Sequence, residues 1–138
     1  MRFAATFVTL AVAALSGSVA AASEDVTLAS LTIHKTGVAA TVDGASLKLD
    51  AADAKGVDCS ATATQIKAGV PTDLIACANT QYLFSVLAGP DATTFAVKIT
   101  HITNGASGQA NVATVCRSGG GDNQICTQTQ ATVAVHLS

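Results

Sequence analysis

The chain has 138 residues, of which 12% are charged, and a formal net charge of −2 at neutral pH. Its seven basic residues are dispersed, so no basic cluster exists to draw nucleic acid or an anionic membrane surface. One tyrosine, four phenylalanines and no tryptophan are too few rings for the aromatic platforms on which sugars and single strands stack.

The chain starts with Met1-Arg2, one positive charge. An almost unbroken apolar stretch follows from Phe3 to Leu15, then small residues from Ser16 to Ala22. That order is a secretory signal peptide, with cleavage fitting after Ala20 or after Ala22. The apolar core is shorter than the roughly 20 residues a membrane span needs. No later stretch is apolar and long enough to span a bilayer. Removing residues 1–22 leaves 116 residues, with six basic against nine acidic side chains and a net charge of −3. Residues 23–138 are expected to form a single secreted domain with one modest core.

The next segments read as short strands. Val26-Thr27-Leu28 alternates, and Leu31-Thr32-Ile33 alternates in the opposite phase, which predicts a bulge or two short strands. Gly37 marks a turn, and Asp43-Gly44 is a hairpin signal. Leu47-Lys48-Leu49-Asp50 alternates again, and residues 51–56 read as one helical turn ended by Gly56. The clearest strand is 57–64, with Val57, Cys59, Ala61 and Ala63 on one face. Gly69-Val70-Pro71 is loop, and Leu74 to Cys77 is short and apolar. Tyr82 to Leu87 is apolar on both faces, which predicts a central strand. After the Gly89-Pro90-Asp91 turn, Phe95, Val97 and Ile99 point inward. The loop 104–108 leads to an apolar run at 112–115, and a last strand ends at Leu137. The fold class is all-β, a compact antiparallel β-sandwich or barrel.

Four cysteines in a small secreted chain read as two disulfides, with three possible connectivities. The favoured pairing is Cys59–Cys77 and Cys116–Cys126, because each closes a local loop. Each such loop contributes roughly 3 kcal/mol on the chain-entropy model. An even count leaves no free thiol for catalysis or for an interchain bond, and a monomer is expected.

Candidate chemistry is sparse. His34, His101 and His136 are the only neutral-pH bases. Ser118 lies in a glycine-rich loop, but Arg-Ser-Gly-Gly-Gly is not a Gly-x-Ser-x-Gly elbow. The aspartates lie mostly in turn-like stretches, where they serve turn geometry. No Cys-x-x-Cys pair offers a zinc site, and Asp122-Asn123 is too short a ligand series for calcium. The triple glycine lacks the Lys-Ser/Thr of a phosphate loop. No catalytic residue, cofactor or metal is therefore expected. The candidate partner-binding loop is Arg117, Ser118, Gly119, Gly120, Gly121, Asp122, Asn123 and Gln124, the wide tip of a hairpin stapled at its base.

The Cys59-Ser60-Ala61-Thr62-Ala63 strand, the cysteine after its loop, and the Cys-Arg-x-Gly-Gly run from Cys116 closing at Cys126 resemble the Alternaria major allergen family. These are small secreted fungal proteins, several of them effectors or elicitors in plant tissue. The resemblance spans about residues 26–137. It implies an antiparallel β-barrel or sandwich with the two local disulfides and no enzymatic activity. It also implies a role in the host apoplast, binding plant defence proteins such as thaumatin-like ones, or modulating immunity. The allergen's dimer-linking cysteine has no counterpart in residues 23–35. A second function class is a carrier of a small apolar ligand, which calls for an apolar pocket inside the barrel or at its mouth.

Overall fold

The computed structural model describes residues 23–66 and 69–138. The signal-peptide reading falls on residues 1–22, outside the described residues. The described residues form nine antiparallel strands: β1 (Glu24–Thr36), β2 (Thr41–Ala51), β3 (Ala54–Ala61), β4 (Ile75–Ala76), β5 (Tyr82–Ala88), β6 (Thr94–His101), β7 (Ala106–Gly120), β8 (Asn123–Gln128) and β9 (Val133–Leu137). The sheet runs β3-β2-β1-β8-β7-β6-β5-β4, with β9 also on β1. Its two end strands meet: Cys59 of β3 is bonded to Cys77, just past β4, and the Ala78 N–H donates to the Asp58 carbonyl at 2.7 Å. The result is an all-β, nearly closed barrel.

Alternation builds the core. Val26, Leu28, Leu31 and Ile33 of β1 point inward and are fully buried. Leu47 and Leu49 of β2, Phe84 and Val86 of β5, Val97 and Ile99 of β6, and Val135 and Leu137 of β9 meet them. Each such side chain contributes about 1.5–3 kcal/mol by leaving water. Tyr82, Phe84 and Phe95 are all buried, as their place in apolar runs predicts.

The phase change in β1 is a bulge. The register with β2 shifts between Ala29 and Thr32, and Ser30 takes a φ of 57°. The bulge splits the other edge of β1 between two partners. β9 pairs with Glu24–Leu28, and β8 pairs with Thr32–Lys35. Gln128, the last residue of β8, fills the gap. Its side-chain carbonyl accepts from the Leu31 N–H at 3.0 Å, and its amide donates to the Leu28 carbonyl at 3.2 Å and the Gln130 carbonyl at 2.9 Å. Beside it, β9 crosses β7 at Gly108. A Cβ there would stand 1.9 Å from the His136 carbonyl oxygen, so only glycine admits the crossing.

Several local expectations are corrected. Asp43-Gly44 is not a turn: β2 runs through it, and Gly44 pairs with His34. The reversal lies at 37–40, closed by the Ala40 N–H on the Gly37 carbonyl at 2.9 Å. Residues 51–54 form a hairpin turn instead of a helical one, because Ala51 pairs directly with Ala54. Ala63 leaves the strand for an exposed turn, in which the Gln65 and Ile66 N–H groups bond the Thr62 carbonyl. Strand β7 starts at Ala106, inside the expected loop 104–108.

One end of the barrel is locked by polar contacts. The Glu24 carboxylate accepts from His101 Nδ1 at 2.6 Å and from the Asn104 amide at 3.1 Å. The Tyr82 hydroxyl stands 3.4 Å from both Glu24 and Asp53, and its ring stacks on His101 with centroids 4.3 Å apart. Burial together with the Glu24 and Asp53 charges raises the Tyr82 phenol above its usual range. Burial acts to raise Glu24 as well, but the bonds from His101, Asn104 and Tyr82 and the His101 charge outweigh it and lower the carboxyl below its ordinary 4.5.

Two tests follow. Gln128→Ala leaves the Leu31 N–H and Leu28 carbonyl without these partners and is expected to cost about 1–3 kcal/mol in urea unfolding of the oxidised protein. Glu24 binds its proton more weakly when folded, so its contribution is complete above pH 4.5 and is lost as pH falls through the lower folded value. Thermal unfolding of Glu24→Gln should lie below wild type at pH 7, and the gap should narrow on acidification below pH 4.5.

Candidate functional site

Opposite the Glu24 lock, three features share one end of the barrel: the 37–40 turn, the β5–β6 turn and the β7–β8 hairpin. Strand β7 changes partner on the way there. It pairs with β6 up to Ala113 and with β8 from Thr114. At the change, the Thr114 N–H and hydroxyl both donate to the Thr93 carbonyl, at 2.9 and 2.6 Å. From 115 to 120 the edge of β7 away from β8 carries no strand among the described residues.

Cys116 and Cys126 are register partners joined by a disulfide, so the staple is a rung of the ladder. Sequence reasoning expected a wide loop at 117–124. The ladder instead continues beyond the staple, with Arg117 opposite Ile125 and Ser118 opposite Gln124. The reversal is confined to Gly121 and Asp122, between the paired Gly120 and Asn123, with φ of 101° at Gly120 and 57° at Gly121. Gly119 stays in the strand. Every residue from Arg117 to Ile125 is exposed. Asn123 is tied to the barrel by the Thr36 hydroxyl, which donates to its side-chain oxygen at 3.0 Å. A cleft of about 230 Å³ lies between the tip and the 37–40 turn.

Because Cys126 is buried, the opposite phase faces out. It carries Val115 and Arg117 on β7 and Ile125 and Thr127 on β8. Val115 and Ile125 are 46% and 42% exposed, which sets a cation between two apolar side chains on an open face. His34, the β1 neighbour of Ile125, continues this face and bonds to Asp43.

The second feature is a cavity of about 390 Å³ at the barrel mouth. Val42, Val70 and Phe95 supply apolar wall, and Lys35 and Asp91 are its ionisable members among the described residues. Asp91 accepts from the Thr93 N–H at 3.0 Å and the Thr93 hydroxyl at 3.1 Å. The Thr93 amide first, and the Thr94 hydroxyl next, hold its carboxyl below the usual range. Sequence reading counted Lys35 as one more dispersed cation. The missed signal was phase: it lies two residues after inward-facing Ile33.

The histidines are not assembled with Ser118. Each donates from Nδ1 to a carboxylate: His34 to Asp43, His101 to Glu24 and His136 to Asp25.

No family model matches the chain. It is 30% identical over 115 residues to the effector protein PevD1 of Verticillium dahliae, covering 81% of this chain and 70% of that protein. The chain belongs to the allergen-like family of fungal effectors. The fold of this chain agrees. It overlays on the crystal structure of the Alternaria alternata major allergen Alt a 1 with a TM-score of 0.60 over 83% of this chain and 93% of that one, at 16% identity. The chain has two local disulfides, Cys59–Cys77 and Cys116–Cys126, and no free cysteine.

Removing the staple by Cys116→Ser with Cys126→Ser is expected to cost about 2–3 kcal/mol. Hydrogen exchange should speed up most at 117–125 and least at the Glu24 end. Uniform acceleration along the chain would show that the staple serves the whole barrel equally.

Proposed function

We propose that this is a secreted, non-enzymatic fungal effector that acts in the plant apoplast through direct contact with host extracellular proteins. Thaumatin-like defence proteins are one candidate class, and the outcome is modulation of host immunity, by elicitation or otherwise. The protein acts as a monomer, with both disulfides spent within the chain. Secretion supplies the oxidising compartment that such disulfides need.

The observation that carries this reading is the hairpin beyond the Cys116–Cys126 rung. It is held at its base, exposed along its length and open along the β7 edge. A segment ordered before binding loses less entropy on association. Open N–H and C=O groups on an edge can accept a partner's strand, and Arg117 between Val115 and Ile125 offers an anchor of the kind that dominates interfaces. An exposed edge is otherwise an aggregation hazard that proteins cover or blunt.

The test is capture from leaf apoplastic fluid by the oxidised protein beginning at Ser23. A control carries a Gly/Ser linker in place of residues 117–125, between the retained cysteines. Capture of a defence protein by the native form alone is the expected result. Equal capture by both folded forms would remove the hairpin from the mechanism. No capture by either would overturn the reading.

A further inference from the structure

The inward phase of β1 runs Leu31, Ile33, Lys35. Lysine therefore occupies a core-facing position just where the barrel ends. Its side chain is folded against the wall, and the residue is only 8% exposed. Nζ lies 5.2 Å from the centre of the Phe95 ring and donates to the Ala92 carbonyl at 3.0 Å. Among the described residues the basic side chains that meet a carboxylate within 4.0 Å are His34 on Asp43, Lys48 on Asp58, His101 on Glu24 and His136 on Asp25, and Lys35 is not one of them. A buried charge is normally paired. An ammonium has three donors, and one carbonyl uses one of them.

The two barrel ends thus differ in one respect. At the far end, the inward-facing His101 is met by Glu24 from within the chain. At the mouth, the inward-facing Lys35 is met by a cavity with Val42, Val70 and Phe95 in its wall. We propose that this cavity is a binding site for a small organic acid, whose carboxylate pairs with Lys35 while its apolar body fills the space beside Phe95.

Size and charge define the ligand. At ~30 Å³ per water, 390 Å³ is about a dozen waters' worth of space, which suits an acid of about that many non-hydrogen atoms. Asp91, the other ionisable wall residue, is engaged by the Thr93 amide and hydroxyl. Its negative charge admits a monocarboxylate and penalises a dicarboxylate. This site is separate from the hairpin, and its test does not depend on any host partner.

The experiment is calorimetric titration of the oxidised protein with octanoate, its neutral isostere octanamide, and the dicarboxylate octanedioate. Wild type should bind octanoate roughly ten- to a hundredfold more tightly than octanamide, the range a charge-assisted bond supplies. Octanedioate should bind more weakly than octanoate. Lys35→Met keeps the aliphatic stem and should erase the preference for octanoate over octanamide. Ala39→Trp, on the exposed turn at the mouth, should weaken both ligands without touching the core. Equal affinity of wild type for octanoate and octanamide, or no binding of octanoate, would overturn the proposal. A preference for octanoate retained in folded Lys35→Met would overturn it too. If Lys35→Met does not fold, the octanoate-to-octanamide ratio in wild type, with loss of binding in Ala39→Trp, decides the matter.

Discussion

The architecture depends on one strand serving three neighbours. Strand β1 pairs with β2 along one edge and divides its other edge between β9 and β8. The Ser30 bulge makes this division possible by turning the strand between its two halves. A bulge leaves backbone groups without ladder partners, and Gln128 supplies them from its side chain. The same displacement lets β9 lie across β7, where Gly108 removes the side chain that would collide with it. Bulge, glutamine and glycine thus act at one junction of β1, β7, β8 and β9.

Closure of the barrel places the disulfides in different roles. Cys59–Cys77 joins the sheet's two end strands, which the Ala78 N–H on the Asp58 carbonyl also links. Cys116–Cys126 is a rung inside an existing ladder, just before β7 and β8 project beyond the body. The first constrains the body and the second the projection. An exposed hairpin of this kind gains little from burial, so its order rests on the rung, the ladder and the Thr36–Asn123 contact.

The family relation and the physical description agree on scale. A relative named as an effector, and the fold of a fungal allergen, match a small disulfide-bonded barrel whose histidines are each held by a carboxylate. Inward-facing ionisable groups, His101 and Lys35, sit at the two barrel ends. Among the described residues, His101 meets a carboxylate within the chain and Lys35 does not. That contrast is the ground on which the Lys35 end is proposed as a ligand site.

Much of the fold was legible from residue order alone. The all-β class, the phase change at 29–31 and the buried aromatics follow from period-2 alternation, a local property, and the local disulfide pairing was the favoured one of three connectivities. Local signals failed where a distant strand decided the outcome. Asp43-Gly44 has the chemistry of a turn, yet β2 continues through it with only a register shift at Asp43, because Gly44 pairs with His34 and Val42 with Lys35 across the ladder. The glycine-rich 117–124 segment reads as a wide loop, yet pairing with β8 carries strand geometry almost to its tip. The hairpin was visible as a candidate site because its cysteines and glycines are adjacent in sequence. The Lys35 cavity was not, because its walls come from β1, β2, the 69–70 segment and the β5–β6 turn. Sequence alone marked the inward side of the clearly alternating strands, β1, β2, β3 and β6. Only the tertiary structure decided what each inward side chain meets, since that depends on which strands closure brings together.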